Sequence, residues 1–158
     1  MRRVELMGQV NHDQANLLLK IYDLRREPRL REARAWFGAN FDAKTPEEAQ
    51  RKYPMGSEAN ASFRMVVSYW EMAAGLVNRG LIDDELFFES SGEAWFVWER
   101  IRELAPAYRA AMKNPHAWGQ LEKLAKRMEQ WQEQRAPGHL AAIRQIMNPA
   151  ERPASAKN

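Results

Sequence analysis

One polar stripe on a predicted helix brings together the residue types best suited to binding or chemistry. Its members follow one another in alternating steps of four and three residues: Arg64, Ser68, Glu71, Gly75 and Asn78. Residues with this spacing lie along one face of an α-helix. The stripe therefore aligns a cation, a hydroxyl, a carboxylate and a carboxamide, a set that can line a small-ligand pocket or an enzymatic site.

The rest of the same helix predicts a structural alternative for the stripe. From Glu58 to Arg79 nearly all other positions are apolar, which is typical of a helix at the centre of a bundle. A charge buried there needs a partner, because an uncompensated buried ion costs several kcal/mol. Arginines of the first helices (Arg25, Arg26 or Arg34) are the partners we expect for Glu71.

The charge distribution supplies a second candidate site, the basic segment that includes Arg25 and Arg34. Residues 20–34 carry a net charge of +3 and residues 82–103 a net charge of −5. We expect these segments to attract each other within one domain. The alternative is weak nucleic-acid binding through Arg25–Arg34, which the basic pI near 9.3 invites, although the distribution of charge matters more than the total.

Several other chemistries lack the residues that they require. The chain has no cysteine, and its three histidines lie far apart in sequence with no His-Glu-x-x-His pattern. Neither a Gly-x-Ser-x-Gly motif nor a glycine-rich phosphate loop is present. We therefore predict no metal site, no cofactor and no catalytic residue, and we expect all six tryptophans to pack in the core.

The composition favours helices, since 23 alanines stand against 12 β-branched residues. We predict an all-α fold, a single antiparallel helical bundle of about five helices, with a first helix kinked at Pro28. The bundle domain is expected over residues 13–135. We expect an irregular segment before it (1–12), a short amphipathic helix after it (136–148) and a disordered tail (149–158).

Membrane segments are also not expected. Stretches free of charged residues are at most eight residues long, against about 20 apolar residues in a spanning helix. Without an apolar leader or any cysteine, the expected location is the cytoplasm.

The run from Ser68 to Leu86, SYWEMAAGLVNRGLIDDEL, resembles a bacterial family of all-helical domains of unknown function. In that family a Tyr-Trp-Glu helix precedes an Arg-Gly-Leu-Ile-Asp turn and a later tryptophan-bearing helix. The similarity extends from Leu17 to Trp131 and includes the early Leu-Arg-Glu-Ala-Arg stretch. The resemblance implies the helical fold and no particular activity. It also implies an N-terminal membrane helix in many members, which we do not expect in this chain.

Three functional hypotheses follow. We favour a non-enzymatic interaction or regulatory module that binds a protein partner or itself, with a homodimer sealed by Leu140, Ile143 and Met147. The second is a ligand-binding or enzymatic site on the polar stripe around Glu71. The third is nucleic-acid binding through the basic segment.

Overall fold

The computed structural model describes residues 10–148, and all the regular structure in that range is helical. In chain order the helices are α1 (His12–Arg25), α2 (Pro28–Asn40), α3 (Pro46–Lys52), α4 (Glu58–Asn78), α5 (Asp84–Ser90), α6 (Glu93–Ile101), α7 (Ala105–Ala111), α8 (Gly119–Arg135) and α9 (His139–Met147). The predicted all-α class is confirmed.

Helix α4 lies at the centre of the core, as its apolar composition predicts. Its buried positions include Phe63, Trp70 and Val77, and it packs against α2 and α6. The Tyr69 hydroxyl donates a hydrogen bond of 2.5 Å to the carbonyl oxygen of Ile21, which fixes α1 to α4. The accessible surface of α4 therefore consists mainly of the polar stripe and a few other exposed positions.

Helix starts follow local capping rules. Four side chains accept a hydrogen bond from a backbone N–H in the first turn of the helix that follows them: Asn11, Thr45, Ser57 and Asp83. Because a side-chain oxygen satisfies an otherwise unpaired helical N–H, each of these residues fixes where its helix begins.

The expected count of about five helices is wrong, since the described residues contain nine. Proline is the main reason. Pro28 does not kink one long helix but begins a new one, whose first N–H groups are accepted by the Glu27 carboxylate at 2.8 and 3.1 Å. Pro46 and Pro106 likewise lie in the first turns of α3 and α7, where their missing N–H costs nothing.

The described residues also do not form the single bundle that was expected. They divide into two compact units, one ending at Ala125 and one beginning at Lys126. In the second unit Leu140 is buried, and Arg144 of α9 forms a 2.7 Å ion pair with Glu129.

Several expectations concern residues at the ends of the chain. Positions 1–9 of the predicted irregular segment and the predicted tail 149–158 lie outside the described residues. Within residues 10–148, no helix is both long enough and apolar enough to span a bilayer.

The tryptophans divide into two groups. Trp70, Trp95 and Trp98 are buried, as predicted. The expectation is wrong for the other three, Trp36, Trp118 and Trp131, which are only half-buried. These three lie near helix ends or on outer faces, where a long aromatic side chain packs with one edge and leaves the other accessible.

Candidate ligand-binding site

The C-terminal half of the polar stripe holds the start of α8. The carboxylate of Glu71 accepts the backbone N–H of Gln120 at 3.1 Å with one oxygen and that of Leu121 at 2.7 Å with the other. These N–H groups belong to the first turn of α8, which has no intrahelical acceptor for them. Glu71 therefore caps α8 from another helix and places a negative charge at the positive end of its dipole.

Asn78 and Gly75 complete this contact. The Asn78 amide donates to both the carbonyl oxygen and the side-chain oxygen of Gln120, each at 2.9 Å. Gly75 is buried, and a Cβ at its position would lie 2.9 Å from Arg79 Nη1 and 3.8 Å, an ordinary contact distance, from the Gln120 side chain. Half of the polar stripe is thus a docking face for α8.

No arginine of the first helices reaches Glu71, contrary to expectation. Arg34 instead forms a bidentate pair with Glu93 of α6, with its Nε 2.6 Å from one carboxylate oxygen, and Arg25 Nη1 lies 4.0 Å from the other. The expected attraction between the basic and acidic segments is thus realised at Glu93. The Glu93 hydrogen bonds and charge raise the pKa of Arg34.

The N-terminal half of the stripe opens onto a pocket of about 570 Å³, which we call the Arg64 pocket. Arg64, Ser68 and Glu71 line it on the α4 side, and Tyr108 and Trp118 line it on the other. Its volume falls within the range of ordinary small-molecule sites, about 300–1,000 Å³.

Aromatic rings form much of the wall of the Arg64 pocket. Tyr108 and Trp118 are stacked with ring centroids 4.2 Å apart and an interplanar angle of 18°. The ring of Phe63 is nearly perpendicular to that of Trp118, and the two ring centroids are 5.9 Å apart. This arrangement fixes a flat, partly accessible aromatic surface opposite the polar stripe.

Trp118 is held in an unusual backbone conformation. Its φ of +57° lies in the left-handed region, which bulky residues rarely adopt. Such conformations cost about 1–3 kcal/mol and persist where the surroundings impose them, often at functional sites.

Arg109 of α7 supplies part of that constraint. Its Nε donates to the Ala117 carbonyl oxygen at 2.7 Å, and its Nη2 lies 2.7 Å from the Glu122 carboxylate in α8. The turn before α8 is thereby tied to both flanking helices. Residues 115–118 form this turn, and α8 begins at Gly119.

The polar side chains of the Arg64 pocket differ in how many of their hydrogen-bonding groups are already engaged. Within residues 10–148 the guanidinium of Arg64 makes no hydrogen bond or ion pair and is exposed. The Ser68 hydroxyl donates to the Met65 carbonyl oxygen at 3.3 Å and can still accept. Both carboxylate oxygens of Glu71 are already engaged. The pocket therefore offers an unpaired cation, aromatic surface and a carboxylate that already accepts two backbone hydrogen bonds.

The described part of the chain also lacks the clusters that other site types need. In residues 10–148, no three histidine, aspartate or glutamate side chains come together so that they could hold a metal ion. Of the two basic-segment candidates, Arg25 and Arg34 both turn toward Glu93, so the structure separates them from the stripe residues Arg64, Ser68, Glu71 and Asn78.

Sequence reasoning missed Tyr108, Arg109 and Trp118. Tyr108 and Trp118 each follow apolar neighbours at helical spacing, which is typical of residues that pack in a core. The sequence did contain one signal for this turn. Asn114-Pro115 favours a turn, and Trp118 directly precedes Gly119. An aromatic residue in a turn is less constrained to face the core than one within a helix.

Comparison with known proteins supports the coarser part of the resemblance, a family of unknown function. No curated protein and no solved structure shows significant similarity to the chain. Residues 12–128 match a family described as a domain of unknown function, DUF4760, which spans most of α1 to α8. Because the match covers well over half of the sequence, the chain belongs to the DUF4760 domain family.

Proposed function

We propose that this protein is a non-enzymatic binding module whose Arg64 pocket takes a small aromatic anion. The observation that carries the proposal is the position of Arg64, an unpaired cation on the wall of a pocket of about 570 Å³ that also contains the stacked rings of Tyr108 and Trp118. A small number of polar groups facing aromatic surface is the usual composition of a ligand site.

The charges of Glu71 and Arg64 indicate which charge the ligand carries. Glu71 also lines the pocket, but its carboxylate is directed at the N–H groups of Gln120 and Leu121, where the helix dipole offsets its charge. Arg64 has no such compensation in the described residues. A carboxylate or phosphate on the ligand would receive charge-assisted hydrogen bonds from its guanidinium.

Binding is favoured over catalysis by what the pocket residues already do. A general base needs a free lone pair within hydrogen-bond reach of its substrate. Both oxygens of Glu71 accept backbone N–H groups, and releasing either one would uncap α8. Protonation of Glu71 would weaken both of these hydrogen bonds and remove the negative charge at the start of α8. The polar stripe is therefore better suited to positioning α8 and Arg64 than to proton transfer.

The proposal is tested by titrating the ¹⁵N-labelled protein with benzoate and, separately, with benzyl alcohol. The indole N–H resonance of Trp118, assigned with a Trp118→Phe variant, is the readout. We expect it to move in a saturable manner with benzoate, with a dissociation constant on the order of 1 mM or lower. Benzyl alcohol should bind at least about tenfold more weakly, because it cannot form the charge-assisted bonds.

Arg64→Gln should weaken benzoate binding about tenfold or more and leave the affinity for benzyl alcohol unchanged. Arg31→Gln is the matched control, since Arg31 is also exposed on a helix but does not line the pocket. Equal benzoate affinity in the wild-type protein and Arg64→Gln would refute the proposal, and so would a Trp118 resonance that benzoate leaves in place.

Self-association is a second candidate function, and one observation favours it. Ile146 of α9 is 71% exposed, whereas Leu140 is buried and Ile143 and Met147 are half-buried. A homodimer would therefore be sealed by Ile146 more than by Leu140. Light scattering of the wild-type protein and Ile146→Asp decides this, because a strict monomer in both would remove the dimer.

Nucleic-acid binding through the basic segment and a cytoplasmic location remain predictions. Arg25 and Arg34 are engaged with Glu93. The exposed cations that remain in the segment are Lys20, Arg26, Arg29 and Arg31. Binding through these residues would weaken steeply with salt, and no retention on DNA or RNA at low salt would exclude it.

A further inference from the structure

A second, smaller pocket lies between α1, α4 and the α5–α6 turn, away from the Arg64 pocket. Its volume is about 100 Å³, and its apolar lining includes Leu18, Leu19 and Ile21. Trp70, Tyr69 and Arg25 also contribute to the lining, and we call it the Trp70 pocket. A water molecule occupies about 10–15 Å³ on this measure, so the pocket holds something larger than one water.

Two hydrogen-bond donors of this lining are buried without an acceptor. Trp70 is 1% exposed, and its indole Nε1 has no hydrogen-bond partner in the described part of the chain. The Nε of Arg25 is also buried and unpartnered. An unsatisfied buried donor costs about 1–3 kcal/mol, so native proteins nearly always provide an acceptor.

The charges beside the Trp70 pocket do not balance. Arg25 and Arg34 share the single carboxylate of Glu93, and Arg34 holds it in the bidentate pair. Tyr69 supplies no negative charge, because burial raises the pKa of its hydroxyl to about 12. The cluster thus carries one uncompensated positive charge, and its side chains are only about one-fifth to one-quarter exposed.

We infer that the Trp70 pocket binds a short aliphatic monocarboxylate, whose oxygens accept hydrogen bonds from Trp70 Nε1–H and Arg25 Nε–H. A carboxylate supplies the acceptors that both donors lack and neutralises the excess charge of the cluster. Its alkyl chain packs against Leu18, Leu19 and Ile21, since most of the lining is apolar. This site is independent of the Arg64 pocket and of the function proposed for it.

The test is a titration of the ¹⁵N-labelled protein with sodium butyrate, with butyramide as the uncharged isostere and sodium chloride as the ionic control. The Trp70 indole N–H resonance, assigned with Trp70→Phe, should move in a saturable manner with butyrate at concentrations on the order of 1–10 mM. The indole resonance of Trp98, which is buried but does not line the pocket, should stay in place.

Arg25→Gln should weaken butyrate binding about tenfold or more, whereas Arg26→Gln should leave it unchanged. These arginines are neighbours and both lie over the Tyr22 ring, but only Arg25 lines the pocket. The wild-type titration alone suffices if Arg25→Gln does not fold.

Three results would overturn the inference. The first is a Trp70 resonance that butyrate does not move. The second is an equal response to butyrate and butyramide, which would remove the role of charge. The third is a persistent contact between the Trp70 N–H and water at high butyrate, which would show that ordered water alone satisfies the donor. A site at the Arg64 pocket would still be seen at Trp118, so the two proposals fail separately.

Discussion

Replacing Glu71 by glutamine tests the central structural role found for the polar stripe. The substitution keeps the length of the side chain and one acceptor oxygen. It replaces the other oxygen with an NH₂ group, which would face a backbone N–H of Gln120 or Leu121, two donors opposed. The negative charge at the start of α8 is lost as well.

The expected cost follows from these losses. One charge-assisted hydrogen bond contributes about 1.5–3 kcal/mol, and the charge–dipole interaction about 0.3–1 kcal/mol. Because the glutamine retains part of the cap, we expect the free energy of unfolding to fall by about 2–3 kcal/mol. For a chain of 158 residues this corresponds to a decrease in Tm of about 4–12 °C.

The assay is thermal unfolding followed by circular dichroism, together with hydrogen exchange of the Gln120 and Leu121 amides. Both amides should exchange faster in Glu71→Gln than in the wild-type protein. Glu32→Gln is the control, because Glu32 is an exposed helical carboxylate without a hydrogen bond in the described residues, and its cost should stay within about 0.5 kcal/mol. A Glu71→Gln protein that melts and exchanges like the control would refute the capping role.

Three further substitutions test other parts of the fold. Asn78→Ala removes two hydrogen bonds to Gln120 and should lower the free energy of unfolding by about 1–2 kcal/mol in urea titrations. Gly80→Ala should cost about 1 kcal/mol because φ there is +75°, whereas Gly92→Ala, at φ −57°, should be nearly neutral by the same measurement. For Glu27, the backbone N–H groups of the next helix lower the pKa of the carboxyl, so its stabilisation is present above the ordinary value of 4.5 and is lost as pH falls through the lowered pKa. The stability difference between the wild-type protein and Glu27→Gln should therefore shrink below that pH, and a constant difference would contradict the cap.

Local features of the fold were predictable from the sequence, because they depend on neighbouring residues. Thr45 and Ser57 belong to the residue types that commonly cap helices, and they cap α3 and α4. Helix α4 is the central helix that its composition indicates. Pro28 shows where this reasoning stops. A proline after a possible cap can kink one helix or begin another, and the Glu27 side chain decides between them.

The candidate site was predictable in part for the same reason. The spacing of the polar stripe places Arg64, Ser68 and Glu71 on one face, and the structure brings these three to one pocket. The sequence analysis expected an arginine of the first helices as the partner of Glu71. Its partner is the start of α8 rather than an arginine, and no pattern within α4 shows which distant element packs against it.

The opposite wall of the pocket could not be predicted from periodicity. Trp118 lines the pocket because its backbone forms a turn with a positive φ. Arg109 holds this turn in place through its contacts to Ala117 and Glu122, which lie on either side of Trp118. Such a conformation is imposed by tertiary contacts against the local preference of tryptophan.

The most direct test of the binding function is the location of a bound aromatic anion by intermolecular nuclear Overhauser effects. With benzoate near the wild-type dissociation constant, the ring protons of the ligand should show contacts to the rings of Tyr108 and Trp118, and Arg64→Gln should reduce them several-fold at the same ligand concentration. Contacts only to residues outside this pocket, or none at all, would contradict the account.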